Sequence, residues 1–401
     1  MRKVIDWFIV LVCAALPLYV VRFKILGVPT TFLEILILVL FLLWFFEKGL
    51  RTKKWLKLLN FGEYTIPVIL FITTAAVSTV LSFDQNGGLG IFRAFFLEPI
   101  LLFLIILERV QNGSGKYVLF GLVLASVWLS MLAILQKLGI APVSEYAKNE
   151  IVQGRVVGVY NSANSLALFV GPVFALVLGT VFSKVKSTKN FHHLFFLSFV
   201  LFLQATVIIF TQSQAGVFAI GVVSIFAILA KILPNKFLVK IYQLIITLAI
   251  ILTFLLPSLS FLGVNLGSIF SDTTLVNRNF VWQGTISLIF DRPLTGSGLD
   301  GFKELYGANY SSPAYSELLQ YPHNLVLTFW SELGLLGMLV FFWFVVKLAQ
   351  KAASNKMIGS GLMLAVIYFL IHGIVDVPYF KNDLSAQFFI LLALTGWKGN
   401  E

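Results

Sequence analysis

Residues 1–23 read MRKVIDWFIVLVCAALPLYVVRF, and the number of membrane crossings in the chain turns on how they are taken. Arg2 and Lys3 ahead of an apolar stretch look like the start of a secretory signal peptide. The apolar run, however, approaches the ~20 residues that span a bilayer and lacks a clear small-x-small cleavage site, so it is read as a first transmembrane helix. Cys13, the single cysteine of the chain, falls inside it. That leaves no disulfide framework and no cysteine-based metal site.

Outward from this helix the composition continues in the same vein. Of 401 residues, 59% are hydrophobic and 12% charged, against about 25% charged in a soluble domain, and the mean hydropathy is +0.93. Lipid rather than water is therefore the solvent for most of the chain. Apolar runs long enough to cross lie near residues 4–22, 30–46, 64–82, 89–108, 117–138 and 163–182, then 194–211, 215–233, 237–257, 323–346, 357–376 and 383–397. The expected fold class is an all-α integral membrane protein of about twelve transmembrane helices.

A net charge of +11 raises the question of nucleic acid, but such a surface needs Lys and Arg clustered on a solvated domain, and none is present. The charge reports topology instead. The segments EKGLRTKKWLKLLN, ERVQNGSGK, SKVKSTKNFHH, KILPNKFLVK and KLAQKAASNK, together with both termini, hold 19 of the 29 Lys and Arg residues. The positive-inside rule makes this set cytoplasmic, with an even number of crossings. The organisation expected is nine helices over 1–256, a large outer loop over 257–322 and three helices over 323–401.

Outer loops this long are usually functional or disordered. The large one contains NRNFVWQGTISLIF, where Phe280, Ile286 and Ile289 are spaced as one face of a helix that Asp291, Arg292 and Pro293 close. A shorter outer stretch, about 136–164, ends in GRVVGVYNSAN. No internal repeat of fixed period is visible, so a transporter built from obvious repeats gains no support.

His323 lies in YPHNLVLTFWSELGLLG, where the large loop re-enters the membrane. An imidazole there can accept a proton near neutral pH and is reachable from lipid and water; it can equally serve, with Asn324, as a helix cap. Arg278, at the start of the loop helix, offers a planar fork suited to a lipid diphosphate, or plain loop solvation. Arg292 and Lys303 read as solvated loop cations. Arg155 and Asn164 belong to the shorter outer loop and can line the same cavity. Arg93 sits about one turn inside a membrane helix, where a charge must snorkel or face a polar cavity. His372 and Asp376 are four apart and form either a histidine–carboxylate pair behind the site or a helix cap. There is no DxD, no HExxH and no paired Cys and His spacing, so no metal is expected.

These pieces resemble the O-antigen ligase and O-antigen polymerase superfamily of bacterial envelope glycosyltransferases. The resemblance runs from Arg93 to Asp376 and is densest from Arg278 to Gly337. It is carried by Arg278 to Trp282, by Pro293, Gly296 and Gly298 in RPLTGSGLDGF, by His323 and Asn324, and by Glu332, Gly334 and Gly337; RVVGVYNSANSLA is also similar. Each is a weak motif alone, and the likeness rests on their order and topology. Where many members carry Ser-Arg after an outward-going helix, this chain reads TQSQAG, with Gln214 in place of arginine.

The resemblance implies a protein of the bacterial cytoplasmic membrane with its active site facing the periplasm or exterior. It implies transfer of glycan from an undecaprenyl-diphosphate carrier to an acceptor hydroxyl without a cofactor, for surface polysaccharide or lipopolysaccharide biosynthesis. His323 would act as base and Arg278 would stabilise the departing diphosphate; Arg155, Asn164, Arg93, Asn324 and Gln214 are expected to touch substrate, with Glu332, His372 and Asp376 behind them. A ligase acting on lipid A core or another surface glycan or protein is the first reading, a polymerase the second, and a flippase or other transporter the third.

Overall fold

Apolar runs fold as helices here because lipid offers backbone N–H and C=O groups no partners. The computed structural model describes residues 1–49, 61–184, 191–233, 235–264, 273–315, 317, 319–355 and 357–398. The basic segments 50–60 and 185–190 and part of the large loop, 265–272, lie outside the described residues.

The chain opens with α1 (Arg2–Ala14), a hairpin of β1 (Arg22–Ile25) and β2 (Val28–Thr31), α2 (Phe32–Gly49) and α3 (Thr65–Val80). Next come α4 (Gln85–Ile91), a π-helical turn (Phe92–Leu97), α5 (Glu98–Arg109), α6 (Gly115–Lys137) and the short α7 (Lys148–Val152). The central helices are α8 (Ala163–Lys184), α9 (Phe191–Phe210), α10 (Gln214–Ile232) and α11 (Asn235–Phe261). The large loop supplies α12 (Thr273–Asp291) and α13 (Phe302–Asn309), and α14 (Leu325–Ser354), α15 (Gly359–Gly373) and α16 (Asn382–Leu394) complete the bundle.

The apolar runs are helical over most of their length, but the first, 4–22, is divided between the 13-residue α1 and a 3-10 turn over Leu16–Val20. By length and composition, six helical stretches among the described residues are able to cross a membrane, the longest being Gln85–Lys137, and three shorter apolar helices accompany them. That longest stretch is broken at Asn112 and Gly113, whose backbone angles are not helical. The molecule is an all-α membrane protein whose one sheet among the described residues is the β1–β2 hairpin, an element that the apolar pattern does not announce.

Burial sorts the helices into centre and rim. Every residue of α16, and every residue of α15 but Ser360, is buried, and α8 packs against α15 so closely that a Cβ on Gly179 would stand 2.4 Å from the Gly361 Cα. Small residues let helix backbones approach where no hydrophobic drive separates helix from lipid. Helices α10 and α11 lie at the rim and turn Phe218, Ile225, Leu244 and Leu248 outward. A buried ion cluster ties the start of the chain to α5: Arg109, 2% exposed, bonds Asp6 at 2.7 Å and Glu47 at 3.1 Å.

The most consequential irregularity is in α14. Gly334 has φ 70°, so the helix breaks there and frees backbone groups that lipid could not satisfy. The loop after α12 satisfies them: Ser297 N–H and Oγ donate to the Ser331 carbonyl at 2.6 and 2.8 Å. Leu335 N–H donates to the Pro293 carbonyl at 3.1 Å, and Ser78 Oγ donates to the Glu332 carbonyl. A Cβ at position 334 would lie 1.9 Å from the Leu294 carbonyl oxygen. Gly334→Ala is therefore expected to cost at least about 2 kcal/mol of stability, read as a lowered thermal midpoint in detergent or nanodiscs.

Candidate active site

Three connections bring distant residues together at the end of the bundle that carries the large loop. Trp282, fully buried in α12, donates its indole N–H to the Pro322 carbonyl at 2.9 Å. Arg278 lies one helical turn earlier on the same helix face, so the bond that holds the residue before His323 also sets where Arg278 sits. Asn324 caps α14, accepting from Leu327 N–H at 3.0 Å, and its amide donates to the carbonyls of Thr253 at 3.0 Å and Ile374 at 2.8 Å. It ties α11 to the start of α14 and the end of α15. With its side chain spent on backbone and no exposed surface, Asn324 is a structural clamp rather than the substrate contact expected of it.

Between these anchors His323 adopts φ 52°, a left-handed conformation that a β-carbon disfavours. Its Nδ1 is 3.1 Å from Asp376 Oδ1. That carboxylate oxygen also accepts the Val377 N–H at 2.9 Å. A carboxylate can only accept, so Nδ1 carries a proton, and in the neutral ring the lone pair is then on Nε2. A base oriented through its second nitrogen by a carboxylate is the arrangement that proton abstraction requires. Asp376 is 6% exposed, whereas the His323 side chain is 35% exposed.

Asp376 is also part of the wall of a cavity of about 530 Å³ whose polar lining is Arg155, Asn164, Gln212, Ser213, Gln214 and Arg278. Arg155 is held by three bonds: Nε to the Thr211 carbonyl at 2.8 Å, Nη2 to Asn164 Oδ1 at 3.0 Å, and an ion pair to Glu150 at 2.7 Å. Arg278 is within electrostatic reach of Asp376. The rest of the lining is apolar, with Phe218, Leu275, Ile371, Ile374 and Val375. Two guanidinium groups, an amide-rich turn and an apolar side form a cavity suited to a lipid-borne anion.

Ser213 and Gln212 belong to the TQSQAG stretch, in which the resemblance draws attention to Gln214. Ser213 caps α10, accepting from Gly216 N–H at 3.4 Å, and faces His372 Nε2 at 3.4 Å. His372 Nδ1 is 3.3 Å from the Tyr368 hydroxyl, which donates to the Ala167 carbonyl at 2.9 Å. His372 thus holds the Gln212–Gln214 turn from behind, through Ser213, and is not hydrogen-bonded to Asp376 as the four-residue spacing suggests. The reason is that α15 ends at Gly373, so the two residues do not share a helix face. Gln212, at φ 51°, shares with His323 the left-handed strain that accumulates at functional sites. An unusual backbone angle leaves no mark in sequence.

Two expected site residues stand elsewhere. Arg93 does not line the cavity: it bonds Glu34 at 2.9 Å and the Pro29 carbonyl at 2.6 Å, with Glu98 at 3.5 Å. Glu332 faces the large loop, where its carboxylate accepts the Asp300 N–H at 2.6 Å. It pins that loop to α14 rather than backing His323. Asp300 itself has its carboxyl pushed up to about 6, first by burial and then by the neighbouring Asp84 and Glu304, against the Gln320 hydrogen bond. A carboxyl that holds its proton more tightly when folded loses stability as pH rises from its ordinary 3.8 toward about 6. Asp300→Asn, which tolerates the same left-handed backbone, is expected to raise the thermal midpoint at pH 7.5 and leave it unchanged at pH 3.

What fold and cavity define is a membrane-embedded protein with a basic, half-apolar chamber beside an oriented histidine. Residues 199–342 match the protein-family model described as O-antigen ligase. Over these residues the match bears out the resemblance to the O-antigen ligase superfamily carried by the motifs. Ser213, Gln214, Arg278 and His323 fall inside the matched residues, and Arg155, Asn164, His372 and Asp376 fall outside them. No curated protein matches the chain. The family implies ligase-like or polymerase-like glycosyl transfer with lipid-linked glycans as substrates.

Proposed function

We propose that the protein is an O-antigen ligase-like glycosyltransferase that moves a glycan from an undecaprenyl-diphosphate carrier to an acceptor hydroxyl on the outer face of the cytoplasmic membrane. In this reading the chain crosses about twelve times, with both termini cytoplasmic, nine helices over 1–256, the large loop 257–322 outside and three helices over 323–401. The observation that carries it is the hydrogen bond from His323 Nδ1 to Asp376 at 3.1 Å, made at the wall of the cavity that holds Arg278.

The residues divide the work as follows. His323 Nε2 takes the proton of the acceptor hydroxyl as its oxygen attacks the anomeric carbon. The bond from that carbon to the diphosphate breaks, and the electron pair leaves with the lipid diphosphate, whose growing charge faces Arg278 and Arg155. The bonds of Arg155 to the Thr211 carbonyl and Asn164 place its charge in the chamber that Gln214 also lines. This offers a source for the phosphate contact that Gln214 cannot make as a cation. Phe218, Leu275 and Ile371 suit the first isoprene units.

Purified protein in nanodiscs, given native lipid-linked glycan with and without candidate acceptors, tests the reading. Glycan attached to the separate acceptor identifies a ligase, and elongated lipid-linked chains without added acceptor identify a polymerase. Donor that stays intact with every acceptor, in discs that still bind it, sinks both and favours a transporter.

A further inference from the structure

The hairpin between α1 and α2 turns at Leu26 and Gly27, both left-handed, with φ 50° and 84°. Two-residue turns with positive φ at both places favour Asn, Asp and Gly, because other side chains are strained there. Here a leucine takes the strained first place and is 100% exposed. Phe23, Ile25 and Val28 beside it are 37%, 45% and 50% exposed. The pairing of Ile25 with Val28 and of Phe23 with Thr30 puts Phe23, Ile25 and Val28 on one face, and Arg22 and Lys24 on the other.

The ribbon is held firmly at its base. Phe32 N–H donates to the Val21 carbonyl at 3.0 Å, and Thr31 and Glu34 cap each other reciprocally at 3.2 Å. Arg93 Nη2 then bonds both the Pro29 carbonyl at 2.6 Å and Glu34 at 2.9 Å. Arg93 belongs to the π-helical turn inside the apolar Gln85–Lys137 stretch. The middle of the ribbon therefore sits level with the end of a membrane-crossing segment instead of standing off from the bundle.

We propose that residues 22–31 form an interfacial anchor. Leu26, with Ile25 and Val28, enters the boundary between lipid headgroups and acyl chains, and Arg22 and Lys24 meet lipid phosphates. An apolar tip backed by cations is the charge pattern of a segment lying in a lipid surface. It also accounts for a leucine at a position whose backbone prefers glycine or asparagine.

The test places an environment-sensitive fluorophore on Leu26→Cys in a Cys13→Ala background, in nanodiscs holding one copy each. Ser311→Cys, exposed in the large loop, serves as the comparison site. Blue-shifted emission at position 26 alone, quenched by lipid spin-labelled near the headgroup, supports the anchor. Arg22→Gln with Lys24→Gln should then weaken that quenching in anionic discs and leave it unchanged in neutral ones. Water-like emission quenched by aqueous iodide overturns the proposal. So does burial of the probe that appears only with two copies per disc, since the occupant is then a second copy pairing with the free strand edge. Both readouts are independent of transfer activity.

Discussion

Replacing His323 with alanine is expected to lower glycan transfer by about 10²–10⁴-fold, the usual contribution of a positioned general base. The loss should fall on kcat, because the imidazole acts on a proton in flight and, in this account, the donor is held chiefly by the cations of the cavity. The residue sits at φ 52°, so the alanine variant keeps the backbone strain. His323→Asn offers a cleaner companion, since asparagine tolerates the left-handed region and cannot serve as the base. Both variants should bind lipid-linked donor as the wild type does. Transfer at the wild-type rate by either would remove the imidazole from the mechanism.

Removing Arg278 is expected to reduce transfer by about 10²–10³-fold, as loss of one preorganised group facing a developing negative charge does. Trp282 still anchors α12 to the Pro322 carbonyl, so Arg278→Ala should leave the fold and the His323–Asp376 bond in place. Arg278→Lys should recover only part of the rate, because an ammonium is a point charge and cannot match a diphosphate with a planar fork. Full activity in the alanine variant would show that Arg155 alone meets the leaving group.

The fold class was readable in the sequence because a bilayer demands long apolar runs, and such runs fold as helices. His323 was readable because Pro-His-Asn stands where a polar loop meets an apolar helix. Its partner was not: Asp376 lies 53 residues away, and the four-residue spacing points instead to His372, on a helix that ends at Gly373. Arg93 misled because an intramembrane cation suggests function, yet Glu34 and Glu98 consume it. Glu332, Gly334 and the RPLTGSG stretch form part of the resemblance, and the structure gives them one mechanical task. They close the break in α14 and so hold the large loop that carries Arg278. Arg155 could be named but not placed, since only the tertiary fold shows that it shares a chamber with Gln214.

The central claim is a single displacement, with His323 as base and no covalent glycosyl intermediate. The most direct measurement is the anomeric configuration of the new linkage, read by NMR on product made from a donor of known configuration by purified protein in nanodiscs. Inversion is the predicted result. Retention would contradict the account, because it requires a nucleophile on the protein, with Asp376 and Ser213 the groups at the cavity wall to examine.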